Sequence, residues 1–175
     1  MSTIVLVACT ARKEPSAQPP RALYTSAWFK DAARCAEVLG DRWYVISAAH
    51  GLLDPDGPPV EPYEWVCPAC GRTGTGRSPA HCPACGSGNV RRSTLAAFTA
   101  AERRVWGKRV AGQLTSLLQP GDVVVLLAGR HYRDALRPHL WALDVWVEEP
   151  LAHVAGVSVQ RRWMRWMQRE VENNV

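Results

Sequence analysis

Short apolar runs alternate along the chain with longer amphipathic segments. Runs at residues 4–8, 43–48, 123–128 and 143–147 predict four buried strands. Apolar positions three and four apart predict helices over residues 26–39, from 99 to about 120, and over 131–140 and 159–171. Strands separated by helices of this length need crossover connections. We therefore expect an α/β fold in three layers, a mostly parallel sheet with helices on both faces.

Capping residues mark two of the helix starts. Thr25 or Ser26 precedes the first long helix, and Thr99 and Glu102 have the spacing of a capping box. The apolar stripes predict which side chains face inward. In the helix after Thr99 they are Trp106, Val110, Leu114 and Leu117, and in the terminal helix they are Val159, Trp163, Trp166 and Met167.

Four of the six cysteines form two Cys-x-x-Cys pairs, Cys67 with Cys70 and Cys82 with Cys85. Each pair contains a proline and is followed by a glycine, which is typical of a ribbon that holds a structural Zn²⁺ with four thiolates. Two disulfides are the alternative, and an intracellular location disfavours them. We expect this ribbon, residues 64–92, to interrupt an α/β domain formed by residues 1–63 and 93–175.

The composition fits one folded domain. Of the 175 residues, 47% are hydrophobic and 21% are charged, which argues against a disordered chain. The longest apolar runs are far shorter than the roughly 20 residues of a membrane helix, and no signal peptide is recognisable at the N-terminus. We therefore expect a cytoplasmic protein with no membrane partner. The oligomeric state stays open.

The formal net charge is +5, and the excess positive charge lies after residue 66. Arginines cluster on the ribbon and on three of the predicted helices. This pattern favours nucleic acid or a nucleotide as partner. A merely solvated helix face is the alternative.

If the strands are parallel, the residues that follow them meet at one edge of the sheet, where ligands bind in such folds. These residues are Cys9 and Thr10, Ser47 to His50, Gly129 to His131, and Glu148 with Glu149. They offer hydroxyl, imidazole, guanidinium and carboxylate groups. Polar residues follow strands in all such proteins, so an ordinary surface is an equal alternative.

His50, between a strand end and Gly51, is a candidate proton donor or acceptor near neutral pH. Asp54 lies four residues later and could orient the imidazole or activate water, and Ser47 belongs to the same stretch. Ordinary turn chemistry is the alternative for His50 and Asp54.

Two further segments are candidates for substrate or phosphate binding. Gly129, Arg130 and His131 open a helix, which favours an anion, and Thr10 and Arg12 follow the first strand. A solvated loop is the alternative for the second segment. Tyr24 could stack on a base or belong only to the helix-capping segment.

The run from Trp43 to Leu52, W-Y-V-I-S-A-A-H-G-L, together with 23–26 and 61–63, resembles an uncharacterised domain family of bacteria, archaea and phages. The resemblance resumes after the ribbon at 126–132 and around 150–156. It implies that the ribbon is an added module. More distantly, the layout is similar to uracil-DNA-glycosylase-like domains and to those of tRNA deazaguanine modification.

The family resemblance implies a fold and a site but no reaction. The more distant similarity, together with the residues that follow the strands, favours an enzyme that processes a base in nucleic acid or a nucleotide, by N-glycosidic cleavage or base exchange. We expect His50 as acid or electrostatic stabiliser, Asp54 as the water-orienting carboxylate, and Arg12 and Arg130 on phosphate. One alternative is a non-catalytic zinc-ribbon protein that binds nucleic acid. Another is an enzyme that acts on a free nucleotide or sugar phosphate.

Overall fold

The structure is a computed structural model that describes residues 1–173. Its elements in chain order are β1 (Thr3–Ala8), α1 (Pro20–Leu23), α2 (Ala27–Leu39), β2 (Arg42–Ser47), β3 (Gly51–Leu53), β4 (Trp65–Val66), β5 (Thr73–Gly74), β6 (Arg91–Arg92), a 3₁₀ turn (Leu95–Ala97), α3 (Ala100–Leu114), β7 (Val123–Leu127), α4 (Arg130–Trp141), β8 (Trp146–Glu148) and α5 (Val157–Asn173).

The main sheet has five strands in the order β3-β2-β1-β7-β8. Strands β1, β2, β7 and β8 are parallel, as the alternating pattern predicts, and β3 is antiparallel to β2. The strand β3 was not predicted. The fourth predicted strand starts later than expected, at Trp146, because Leu143 closes a turn onto Leu140 and Asp144 adopts a positive φ of 55°.

Helices cover both faces of this sheet. The chain runs outward from β1 to β2, then returns past β1 to β7 and β8. Right-handed crossovers therefore place α2 on one face and α3 with α4 on the other. The terminal helix α5 packs against α2, and α3 packs against α4. The predicted three-layer α/β fold is confirmed.

The capping residues act as the sequence predicts. Ser26 is the N-cap of α2 and accepts a hydrogen bond from the Phe29 amide. Thr99 and Glu102 form a reciprocal capping box at the start of α3. Trp106, Val110 and Leu114 are buried on the inner face of α3, and Leu117 beyond its end is partly buried.

The predicted inward face of α5 is partly wrong. Val159 and Trp166 are 46% and 47% exposed, whereas the buried residue is Met164. Trp163 and Met167 are partly buried against the core. The helix is turned by polar contacts to the buried Asp31 on α2, whose side chain and carbonyl group bind three residues one turn apart: Arg161, Arg165 and Gln168.

The segment between β3 and α3 forms a second, small antiparallel sheet in the order β5-β4-β6. Val66 of β4 is buried in the main core, and Arg91 forms an ion pair with Glu102 on α3. These contacts fix the small sheet to the larger domain. Within residues 1–173, no helix combines the length and apolar character needed to cross a membrane.

Candidate functional site

The four cysteines of the two Cys-x-x-Cys pairs converge on one point. Their sulfurs all lie within 4.8 Å of one another. Two distances between the pairs are 3.7 Å, from Cys67 Sγ to Cys85 Sγ, and 3.6 Å, from Cys70 Sγ to Cys82 Sγ. A tetrahedral site with metal–sulfur bonds of about 2.3 Å separates its sulfurs by about 3.8 Å. The cluster therefore fits a metal ion, and none of its cysteines forms a disulfide.

Each pair is shaped by a tight turn of the backbone. The amide of Gly71 donates to the carbonyl of Cys67, and the amide of Gly86 donates to that of Cys82. Both glycines have a positive φ, 77° and 72°, which other residues rarely adopt. The turns bring both sulfurs of each pair to the same side, as the Cys-x-x-Cys spacing predicts.

Parallel pairing brings the carboxyl ends of β1, β2, β7 and β8 to one edge of the main sheet. The order of the strands reverses between β1 and β7, so the chain leaves these two strands in opposite directions. Such a reversal is the switch point of the sheet. It opens a crevice at the carboxyl edge, where α/β folds bind ligands. Cys9 and Thr10 follow β1 at this point, and Gly129 follows β7.

The small sheet lies over this crevice and encloses a cavity of about 870 Å³. Cys9, Thr10 and Ala11 line it from the end of β1, and Tyr132 lines it from α4. Its other walls come from the small sheet and the segments beside it, through Glu64, Gly76, Arg77, Ser78, Arg92, Ser93 and Thr94. The cavity thus lies between the switch point of the sheet and the cysteine-bearing segment.

One carboxylate and two guanidinium groups line this cavity. The side chain of Glu64 accepts a hydrogen bond of 2.6 Å from the Gly76 amide, which fixes one carboxylate oxygen. Arg77 and Arg92 are exposed, and neither forms an ion pair within the described chain. Both cations therefore stay available to an anionic ligand.

A thiol and a phenol form the floor of the cavity. The Cys9 Sγ and the Tyr132 hydroxyl lie 3.3 Å apart. Burial raises the pKa of Tyr132 well above its ordinary value, and the nearby Cys9 raises it further. The hydroxyl is therefore protonated at neutral pH. The ring of Tyr132 packs edge-on against Trp106 at 5.4 Å, which fixes its orientation.

A second cavity of about 470 Å³ adjoins the first and shares Cys9, Thr10 and Tyr132 with it. The other residues that follow β1 and β7 and were predicted to bind phosphate line this second cavity. They are Arg12, Gly129, Arg130 and His131. Gly129 is the N-cap of α4 and lines this cavity together with Arg130 and His131, so the helix N-terminus borders the cavity. Arg130 is exposed and pairs with Asp134 at 3.1 Å.

Ser47, Tyr24 and His50 meet in a buried network beside these cavities. The Ser47 hydroxyl lies 2.6 Å from that of Tyr63, which lies 2.7 Å from that of Tyr24. Tyr63 was not singled out from the sequence. Ser47 Oγ also accepts a hydrogen bond from the His50 amide, and the imidazole packs edge-on against Tyr63 with ring centroids 4.8 Å apart.

The electrostatics of this network disfavour charge on its members. Burial lowers the pKa of His50, and the positive charges of Arg109 and Lys13 lower it further. Its Nε2 is buried and has no hydrogen-bond partner among residues 1–173. Burial also raises the pKa values of Tyr24 and Tyr63. The imidazole and both phenols are therefore neutral at pH 7.

Asp54 is not brought to the cavities. Its carboxylate is exposed and accepts a hydrogen bond from the Asp56 amide, and its carbonyl accepts one from Gly57. This is the turn chemistry that the sequence left as the alternative. His50 and Ser47 contact the network but do not line either cavity.

Sequence reasoning missed Glu64 and Tyr132 as cavity residues. Glu64 was placed at the start of the ribbon, and nothing in its neighbourhood signals that β4 turns it toward the end of β1. Tyr132 belongs to the run that resembles the known family, and that resemblance was the available signal.

Two segments of the chain, residues 4–73 and 92–167, match the family of unknown function DUF6884. The matched segments include Cys67 and Cys70, whereas Cys82 and Cys85 fall between them. No curated protein and no solved structure matches the chain. Because the two segments together span more than half of its length, the chain belongs to the family of unknown function DUF6884.

Proposed function

We propose that this protein is a base-processing enzyme that acts on a nucleotide unit of nucleic acid, by N-glycosidic cleavage or base exchange. The observation that carries the proposal is the cavity of about 870 Å³ at the switch point of the sheet, with Glu64, Arg77 and Arg92 in its walls. Small-molecule sites have volumes of about 300–1,000 Å³, so the cavity is large enough for one extruded nucleotide.

The groups in the cavity match the needs of glycosidic cleavage. The bond between C1′ and the base nitrogen breaks through a transition state with positive charge on the sugar, which a carboxylate stabilises. The departing base needs a proton or a hydrogen-bond donor. Glu64 supplies the carboxylate, and the protonated hydroxyl of Tyr132 supplies a donor.

This proposal moves the carboxylate role from Asp54 to Glu64, because Asp54 lies in an exposed turn. Arg77 and Arg92 supply positive charge for the phosphates of the strand, and Arg12 and Arg130 do so in the adjoining cavity. We propose His50 as a positioning residue that acts through Tyr63. The imidazole contacts the ring of Tyr63 and does not bind its hydroxyl.

We further propose that the metal of the cysteine cluster is a structural Zn²⁺. Four thiolates are a soft donor set that zinc prefers, and they leave no open position for a substrate. Such a site would hold the walls that carry Arg77 and Arg92 against the edge of the sheet.

Metal analysis and chelation test this second proposal. We expect about one zinc per chain, and chelation should increase hydrogen exchange in residues 64–92 while β1, β2 and β7 stay protected. The Cys70→Ser variant should lose the metal and the Cys35→Ser variant should keep it, because Cys35 is buried in the α2 core. A preparation that contains iron or no metal would overturn the assignment to zinc.

Detection of free bases by mass spectrometry tests the enzymatic proposal. The protein is incubated with DNA, RNA and nucleosides that carry natural and modified bases. We expect release by the wild type, loss of release in Glu64→Gln, and release retained in Glu61→Gln, whose carboxylate is exposed and outside the cavity. Both variants keep size and polarity.

The alternatives give other results in this experiment. Strand binding that weakens with salt, without release of any base from the panel, would identify a non-catalytic nucleic-acid-binding protein. Turnover of free nucleosides or nucleotides alone would identify an enzyme that acts on small substrates. Release that is unaffected in Glu64→Gln would remove the carboxylate assignment.

A further inference from the structure

Lys13 lies beside the buried tyrosine network, directly after residues 9–12, which line the two cavities. Its Nζ donates a hydrogen bond of 3.3 Å to the carbonyl of Ala11, a residue that lines both cavities. The same Nζ lies 4.2 Å from the ring centroid of Tyr63 and 5.7 Å from that of Tyr24. The amine is therefore held by aromatic faces and by the carbonyl group of a residue that lines both cavities.

No carboxylate in the described part of the chain forms an ion pair with this half-buried lysine. A lysine that serves only to stabilise a fold is usually exposed or paired. Burial lowers the pKa of Lys13, while Cys9 and Glu64, which both line the cavity, act in the opposite direction. A lysine in such surroundings loses its proton more readily and becomes a nucleophile.

We propose that Lys13 forms a Schiff base with the C1′ aldehyde of an abasic sugar in a nucleic-acid strand, so that the protein also cleaves the strand at that sugar. The proposal rests on the proposed function, because Lys13 meets a sugar only if the cavity holds one. It assigns a lyase activity in addition to base release.

The steps balance with water as the only co-reactant. The neutral amine of Lys13 adds to the aldehyde carbon, the resulting carbinolamine takes up one proton from the solvent, water leaves, and a protonated C=N bond forms. This iminium group makes the C2′ proton acidic, and the carboxylate of Glu64 accepts that proton. The electron pair of the C–H bond forms a C=C bond and expels the 3′ phosphate. Water then adds to C1′, which releases the unsaturated aldehyde and the free amine and returns the proton to the solvent.

Trapping with borohydride tests this proposal with the intact protein. Oligonucleotides that carry one abasic deoxyribose or one abasic ribose are incubated with the protein, and borohydride reduces any C=N bond to a stable amine link. We expect a covalent adduct that peptide mass spectrometry maps to Lys13. The chain contains two other lysines, Lys30 and Lys108, so the assignment is direct.

Two lysine variants control for folding and charge. Lys13→Arg keeps the positive charge over the tyrosine rings but cannot form a Schiff base, and we expect it to lose the adduct while its thermal unfolding stays close to that of the wild type. Lys30→Arg, an exposed position on α2, should form the adduct as the wild type does. An adduct on deoxyribose or on ribose alone identifies the sugar and supports the proposal.

The remaining outcomes separate this proposal from the proposed function. Base release without an adduct on either oligonucleotide overturns the role of Lys13 and leaves base release intact. An adduct at Lys13 without base release from any substrate supports the lyase step and overturns the glycosidic step. An adduct that maps to the N-terminal amine or to another lysine overturns the assignment.

Discussion

The imidazole of His50 is enclosed beside Tyr63, and its Nε2 lacks a hydrogen-bond partner within the described residues. A proton on this ring would add a charge to a desolvated site near Arg109 and Lys13, which lowers the pKa of His50 below the ordinary 6.5. The unfolded chain therefore takes up this proton at higher pH than the folded protein does.

This difference predicts how stability depends on pH. The contribution of the neutral imidazole is complete above about pH 6.5, and it is lost as the pH falls from there toward the pKa of the folded state. Denaturant unfolding at pH 7.5 and 5.5 should show a smaller loss of stability for His50→Gln than for the wild type. The exposed His153 provides the control, and His153→Gln should behave as the wild type does. An unchanged loss in His50→Gln would contradict the burial of a neutral imidazole.

At the residue level, the sequence predicted which side chains are candidates for the site better than it predicted which residues they contact. The stretch from Ser47 to His50 was singled out because it follows a strand, and the structure places both ends of it in the tyrosine network. Tyr63 completes that network from a proline-rich loop, 39 residues after Tyr24. No local sequence pattern predicts a contact over that distance, because the contact depends on how the loop crosses the sheet.

The contact between α3 and α4 depends on a glycine in the middle of α3. A Cβ added at Gly107 would collide with the carbonyl oxygen of Ala135 on α4, whereas a Cβ at Gly112 on the same helix meets no atom within 4 Å. The close approach of the two helices therefore requires glycine at one position and not at the other.

These two positions make a matched pair of variants. Gly107→Ala should lower the free energy of unfolding by about 1–3 kcal/mol, because the helices must separate. Gly112→Ala should raise it by about 0.5–1 kcal/mol, because alanine favours a helix interior. Urea unfolding of both variants measures the effect. Equal effects at the two positions would show that α3 and α4 are not packed as described.

At the element level, sequence patterns predicted the features that depend on residues close together in the chain. The capping box of α3 and the buried strands β1, β2 and β7 depend on residues close in sequence, and all of them are confirmed. The predicted inner face of α5 was wrong at Val159 and Trp166, because the rotation of the helix is set by Asp31, which lies 130 residues from Arg161. Apolar periodicity carries no information about such a buried ion pair.

For the whole molecule, the alternation of strands and helices was sufficient to predict the parallel sheet and the edge at which the carboxyl ends of its strands meet. The Cys-x-x-Cys spacing was sufficient to predict the cluster of four thiols. The position of that segment over the switch point was not predictable, because it depends on packing of Val66 into the core and on the ion pair between Arg91 and Glu102. The resulting cavity is a property of the assembled fold.

We propose that this cavity holds the nucleotide on which the protein acts. A crystal structure of the Glu64→Gln variant with a bound oligonucleotide tests it most directly, because this variant should bind the strand without turnover. We predict one nucleotide in the cavity of about 870 Å³, with its phosphates beside Arg77 and Arg92 and its sugar beside Glu64. A strand bound across the outer surface of residues 64–92 or of α5, with no nucleotide in the cavity, would contradict this proposal.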